Sequence, residues 1–283
     1  QLRLQSAGHG SLVDNADGSW LFAHLCRRRL ANGRSILGRE TSLQPIIWRD
    51  GWPRLASGTQ EPADDVQVPN LPPHPWPQAP KRENFDGDKL PMHWMAPRVR
   101  IDDISSLNDR KGYLRLYGRE SITSMFEQSL VARRQEHFHI EAATCVEFTP
   151  ENFQQLAGLV AFYNTDSFYY LYLTWAPHST RCLGLMKCEK GVVTYPIEKE
   201  YPLDNYPAVG LKLAIQDDRI RFYYSIDEKN WTAISWEQDA SILSDEHAMP
   251  CGFTGNFVGM ACQDLSGTRK PADFKWFEYA ELA

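Results

Sequence analysis

With 283 residues, 42% of them hydrophobic and 23% charged, the chain has room for one large domain or two ordinary ones that bury their own cores without staples. A formal charge of -6, with no basic run longer than Cys26-Arg27-Arg28-Arg29, argues against a nucleic-acid partner, and no apolar stretch approaches membrane-spanning length. Aromatic residues at 12% favour β structure or stacking on sugars.

From the N-terminus, Leu12-Val13, a turn over Asp14 to Gly18, and Trp20-Leu21-Phe22 running into His24-Leu25 form a hairpin signal. A second pair of strands is expected at Thr41 to Trp48 and Trp52 to Leu55, around the turn Arg49-Asp50-Gly51. Four short strands in residues 1–58 resemble one propeller blade, and a blade alone cannot close the ring that protects its edges. Across 59–81 the apolar periodicity stops, and Pro62, Pro69, Pro72, Pro73, Pro75, Pro77 and Pro80 indicate an extended connector.

Residues 82–283 read as an all-β sandwich. Its strands are expected at Tyr113 to Tyr117, Ser129 to Arg133, Phe138 to Glu147, Gln155 to Tyr163, Phe168 to Trp175, Leu211 to Gln216 and Phe274 to Tyr279. Arg219 to Ile226 and Trp231 to Ile234 form a hairpin around Asp227-Glu228-Lys229-Asn230. The bulky run Phe168 to Trp175 suits a central strand covered on both faces, with a ligand platform on one face as the alternative. Cys26, Cys145, Cys182, Cys188, Cys251 and Cys262 lack a CxxC pair and read as buried thiols, with a Cys182–Cys188 bridge across a hairpin as the alternative. No charged-then-apolar leader follows Gln1-Leu2-Arg3-Leu4, and a cytoplasmic location is the expectation; a start further upstream would make that observation uninformative.

Gly8-His9-Gly10-Ser11 and Leu37-Gly38-Arg39-Glu40-Thr41 resemble the last-blade signatures of glycoside hydrolase family 43 β-xylosidases. Gly18-Ser19-Trp20-Leu21, His24-Leu25-Cys26 and Trp48-Arg49-Asp50-Gly51-Trp52-Pro53 are similar to the hairpins of that blade. In the sandwich, Tyr113 to Ser121, Val131-Ala132-Arg133-Arg134 and Phe253 to Gly259 resemble the family's C-terminal concanavalin-A-like or jelly-roll domain. The resemblance spans essentially the whole chain, but only the later half of such an enzyme. It implies an all-β molecule: the final blade of a five-bladed propeller followed by a sandwich.

The resemblance also implies inverting hydrolysis of xylo-oligosaccharides, with α-L-arabinofuranosidase activity as a further expectation. The general acid and base would lie on blades preceding Gln1, so no catalytic residue is assigned here and the chain alone is expected to be inactive. Arg39 matches the arginine that reaches the innermost sugar; a strand arginine paired with an exposed acid is the alternative. His9 matches a histidine near the propeller axis that orders water or a metal ion, against a buried structural histidine. Phe253 or Phe257 would supply an aromatic wall at the mouth of the site, the other being core. Arg27-Arg28-Arg29 stands where the family often has a small residue and a proline, which alters the charge of the rim.

No cofactor is expected. A structural calcium is left open at Glu83-Asn84-Phe85-Asp86 and Ala272-Asp273-Phe274-Lys275, where related domains carry more aspartates. Expected partners are a xylo-oligosaccharide, the missing N-terminal half and further copies of the chain. The alternative is a carbohydrate-binding or purely structural, oligomer-forming sandwich with no activity of its own.

Overall fold

The computed structural model describes residues 3–67, 71–197, 199, 201–234, 237–248 and 250–282, so Pro69 of the connector lies outside the described residues. The chain opens with β1 (Leu4–Asp14), β2 (Trp20–Arg28), β3 (Glu40–Arg49) and β4 (Trp52–Leu55), a four-stranded antiparallel meander in chain order. The Asp14–Gly18 turn closes as its residues require: Asp17 accepts from the Ser19 amide at 2.9 Å, and Gly18 takes φ 80°. β1 is longer than the Leu12-Val13 signal because bulges at Gln5–Gly8 and Gly8–Gly10 interrupt its alternation.

β1 and β4 are open edges of this sheet, and Leu12, Val13, Leu43, Ile47, Trp48 and Trp52 are exposed on it. A free-standing domain would cover such a surface. The β2–β3 loop behaves differently: Leu30, Ile36 and Leu37 are buried in the same apolar cluster as the sandwich core. The blade is therefore anchored to the sandwich by its loop while its sheet stays unfilled. The connector first folds back, with Gln44 and Ala63 exchanging hydrogen bonds of 2.9 and 3.0 Å, and then runs exposed over residues 71–80.

The second unit adds β5 (Arg82–Glu83), β6 (Ser105–Ser106), β7 (Leu114–Tyr117), β8 (Ser129–Arg134) and β9 (His139–Glu147). Next come β10 (Gln155–Asn164), β11 (Ser167–Ala176), β12 (Ser179–Glu189), β13 (Val192–Thr194), β14 (Ala208–Gln216) and β15 (Arg219–Ser225). β16 (Thr232–Ala233), β17 (Gln238–Asp239), β18 (Phe257–Asp264) and β19 (Pro271–Glu281) complete it. One sheet has the order β13-β12-β11-β10-β18-β8; the other runs β16-β15-β14-β9-β19-β7-β6, with β17 on β15 and β5 on β19. Long connections between neighbouring strands and two facing antiparallel sheets make this a sandwich.

Alternation on β11 explains the aromatic run. Tyr169, Leu171 and Leu173 point into the main core, while Phe168, Tyr170 and Tyr172 enter a second apolar cluster on the outer face with Ile122, Leu130 and Phe162. Both faces are covered, and the buried Tyr170 hydroxyl donates to the Ala261 carbonyl at 3.0 Å. No open aromatic platform exists on this strand. Cys182 and Cys188 are both buried on β12, so they do not bridge two strands of a hairpin.

The β18–β19 turn is organised by Asp264, which accepts from the amides of Ser266 and Lys270 and the hydroxyl of Thr268 at 2.6–2.9 Å. Burial disfavours its charge, but these donors outweigh it and hold its pKa at about 2, below the ordinary 3.8. A depressed folded pKa gives stabilisation that is complete above pH 4 or so and is lost as pH falls toward about 2. Thermal melts should therefore show a wide gap between the natural chain and Asp264→Ala at pH 6 that narrows by pH 2.

Candidate functional site

The β2–β3 loop and the segment 252–256 meet by backbone. Gly38 adopts φ 69°, and a Cβ there would lie 2.3 Å from the Gly255 nitrogen; a Cβ on Gly255, at φ 71°, would lie 2.4 Å from the Leu37 carbonyl. Only glycine satisfies both the left-handed conformation and this approach. Around the contact, the Asn256 amide donates to the Ile36 carbonyl at 2.8 Å and the Arg39 amide to the Phe253 carbonyl at 3.3 Å. Arg134 of β8 donates to the carbonyls of Leu37, at 2.6 Å, and of Arg39. Asn256 is locked from behind by Gln135, with reciprocal bonds of 2.8 and 2.9 Å.

These bonds bring Arg39 and Phe253 together. The guanidinium carbon of Arg39 lies 3.8 Å from the Phe253 ring centroid, a stacked cation–π contact. Phe253 is 39% exposed and holds φ 57°, a conformation that a bulky residue keeps only when its surroundings impose it. Arg39 is half-buried, and its Nε is buried without a hydrogen-bond partner among the described residues. A guanidinium stacked on a part-exposed aromatic ring brings together the two kinds of group that grip a sugar, N–H donors for hydroxyls and a π face for the apolar side of the ring.

Phe257 stands elsewhere. It begins β18, opposite Phe162 and Arg134 in register, and packs half-buried against the second apolar cluster. With Met95, Leu130, Ala132, Phe162 and Thr254 it lines a groove of about 320 Å³ on the outer face of the sandwich.

His9 is exposed on the free edge strand β1 at φ 43°. Its neighbour Gly10 is required by close approach, since a Cβ would lie 2.3 Å from the Ala23 carbonyl. The row Gly8–Leu25–Thr41 across β1, β2 and β3 places His9 and Arg39 at the same end of the blade, without contact between them. The buried histidine of the blade is His24, 4% exposed, 2.9 Å from the Leu25 carbonyl through Nδ1 and stacked on Phe22.

The carboxylates at this junction are all engaged. Glu40 takes a two-bond fork from Arg28 at 2.7 and 2.9 Å, and Glu246 accepts from the Ser35 amide and hydroxyl. Burial opposes the charge of Glu246, yet the Ser35 donors lower its pKa below the ordinary value. It is held ionised, the opposite of what a proton donor needs. From sequence the Arg27-Arg28-Arg29 run reads only as a rim, and the clamp made by Arg134 has no local signature, because nothing in Val131-Ala132-Arg133-Arg134 announces which carbonyls a guanidinium will meet.

In the two segments considered for calcium, Asp273 and Glu83 are already engaged. Asp273 accepts from Arg115 at 2.7 and 2.8 Å and from Arg110 at 2.9 Å, and Glu83 caps the Phe85 amide at 3.1 Å. No group of three His, Cys, Asp or Glu side chains placed to hold a metal ion occurs among the described residues.

Residues 82–280 match the family model described as beta xylosidase C-terminal concanavalin A-like domain, and residues 1–53 match glycosyl hydrolases family 43. The chain is 36% identical to a beta-xylosidase of Bacillus subtilis over 98% of its own length and 54% of the relative's. It is 37% identical to a xylosidase/arabinosidase of Humicola insolens over 98% of its length and 53% of that protein. The crystal structure of xylan beta-1,4-xylosidase from Bacillus halodurans superposes with a TM-score of 0.93 at 41% identity, covering 99% of this chain and 54% of that one. The chain thus spans about half the length of the relatives it matches, corresponding to their C-terminal part.

Proposed function

Because the chain belongs to glycoside hydrolase family 43, we propose that it forms the C-terminal half of an inverting exo-glycosidase acting on xylo-oligosaccharides, with arabinofuranosides as a second substrate class. The Arg39–Phe253 stack at the blade–sandwich junction carries this reading. Arg39 would grip two hydroxyls of the innermost sugar or a catalytic carboxylate through its planar fork, and Phe253 would offer an apolar wall to the same ring. His9, on the open edge strand, would order water close to the propeller axis.

Inversion requires a carboxylic acid that protonates the leaving oxygen and a carboxylate that activates water on the opposite face, about 6.5–9.5 Å apart. Those groups would come from an N-terminal propeller half packed on the exposed sheet of β1 to β4. The sandwich serves this assembly as a brace, a role supported by the burial of Leu30, Ile36 and Leu37 within its core.

The test pairs the chain with the N-terminal half of a family 43 β-xylosidase and follows nitrophenol release from p-nitrophenyl β-D-xyloside. Activity is expected from the pair and not from either half alone. Turnover by the 283-residue chain unaided would put the general acid and base within it and overturn the division of labour proposed here.

A further inference from the structure

A closed circuit of side chains ties the blade to the segment carrying Phe253. Arg27 of β2 places its guanidinium carbon 5.2 Å from the Phe253 ring centroid. The same guanidinium reaches the sandwich, with Nη1 3.1 Å from Glu246 Oε1 and Nε 3.5 Å from Asp245 Oδ2. The Tyr163 hydroxyl of β10 donates to Asp245 at 2.7 Å and accepts from the Gly252 amide at 2.8 Å. Gly252 precedes Phe253, so the circuit returns to the ring where it began.

Asp245 decides how much depends on Arg27. Its side chain is fully buried, and a buried carboxylate persists only when it is hydrogen-bonded and faced by a countercharge. Tyr163 supplies the hydrogen bond. The only cation within ion-pair range of Asp245 among the described residues is Arg27. Phe253, left-handed and part-exposed, is held from the blade by the Arg39 stack and the Arg39 amide on its carbonyl, and the circuit through Arg27 and Gly252 adds the hold from the sandwich side.

We infer that Arg27 is a positioning residue for the sugar-facing wall: it fixes Phe253 directly by stacking and indirectly through Asp245, Tyr163 and Gly252. The guanidinium ties the ring to two carboxylates of the sandwich, which makes that side of the junction more rigid. Its consequence for substrate rests on the reading of Phe253 as a sugar contact; its consequence for the loop does not.

Hydrogen exchange on the 283-residue chain tests the loop. Arg27→Ala should speed exchange of the Gly252 amide about tenfold or more while the central amides of β10 and β11 keep their protection. Tyr163→Phe should loosen the same segment without touching the blade, and Arg27→Lys, which keeps the charge, should restore part of the protection. In the paired enzyme, Arg27→Ala should raise KM for xylobiose several-fold with kcat within about twofold, the split expected when a binding wall is lost. Unchanged Gly252 exchange in Arg27→Ala overturns the inference whatever the activity. So does a fall in kcat at constant KM. Faster exchange in a pair that never cleaves xylosides upholds the circuit and sinks the glycosidase reading instead.

Discussion

Arg39→Ala in the paired enzyme is expected to lower kcat/KM on p-nitrophenyl β-D-xyloside by about a hundredfold. A hydrogen bond from a charged donor contributes roughly 1.5–3 kcal/mol when its partner is otherwise buried unpaired, and each 1.4 kcal/mol is about tenfold in rate. The substitution also removes the cation stacked 3.8 Å from the Phe253 ring centroid, so the ring loses the nearer of its two arginine contacts. Arg39→Lys should recover little, because a compact ammonium can neither lie flat on the ring nor present a fork to two oxygens. The melting temperature should move by only a few degrees. A variant of unchanged kcat/KM would reduce Arg39 to a structural stack.

The largest expected loss of stability comes from Gly38→Ala. Its methyl group would sit 2.3 Å from the Gly255 nitrogen, a backbone atom that cannot swing aside, and the residue would be held at φ 69°. The left-handed conformation costs roughly 1–2 kcal/mol for an L-residue, and separating two packed backbones roughly 1–3 kcal/mol more. A total of about 2–5 kcal/mol corresponds to a fall in melting temperature of about 10 °C for a domain of this size. Gly33→Ala is the control: φ is 83° but nothing lies within 4 Å, so only the conformational part, about 1 kcal/mol, is lost. Equal losses in the two variants would mean that the contact with Gly255 contributes nothing.

Much of the architecture was legible because local chemistry and tertiary packing agree. Asp17 and Gly18 close the first hairpin, the Asp227 turn closes another, and the bulky run of β11 fills both faces of a central strand. β12 and β18 escaped for a shared physical reason. Gly184 interrupts the first, and a Cβ there would strike the Tyr172 ring at 2.5 Å; Gly259 interrupts the second beneath Val131 and Ala132 of β8. In each case a glycine under a neighbouring strand weakens the signal of a run with charged or polar residues, whereas Gly158 of β10, equally crowded, sits in the apolar run Leu156 to Phe162 that still reads as a strand. The site was legible as residues rather than as a constellation. Arg39 and Phe253 could be named, but their stacking is produced by Gly38 and Gly255, whose pairing no local pattern encodes. Phe257, one strand register further on, turned into the outer cluster.

The bonds that dock the blade loop against segment 252–256 and β8 involve main-chain atoms on at least one side: Asn256 to Ile36, Arg39 to Phe253, Arg134 of β8 to two carbonyls. Such a joint reads peptide geometry instead of side-chain identity. Residues beside it can therefore drift, and rims of different charge can be tried around one docked junction, so long as the pair of glycines stays. Change in the charge of the rim is thereby uncoupled from the upkeep of domain docking.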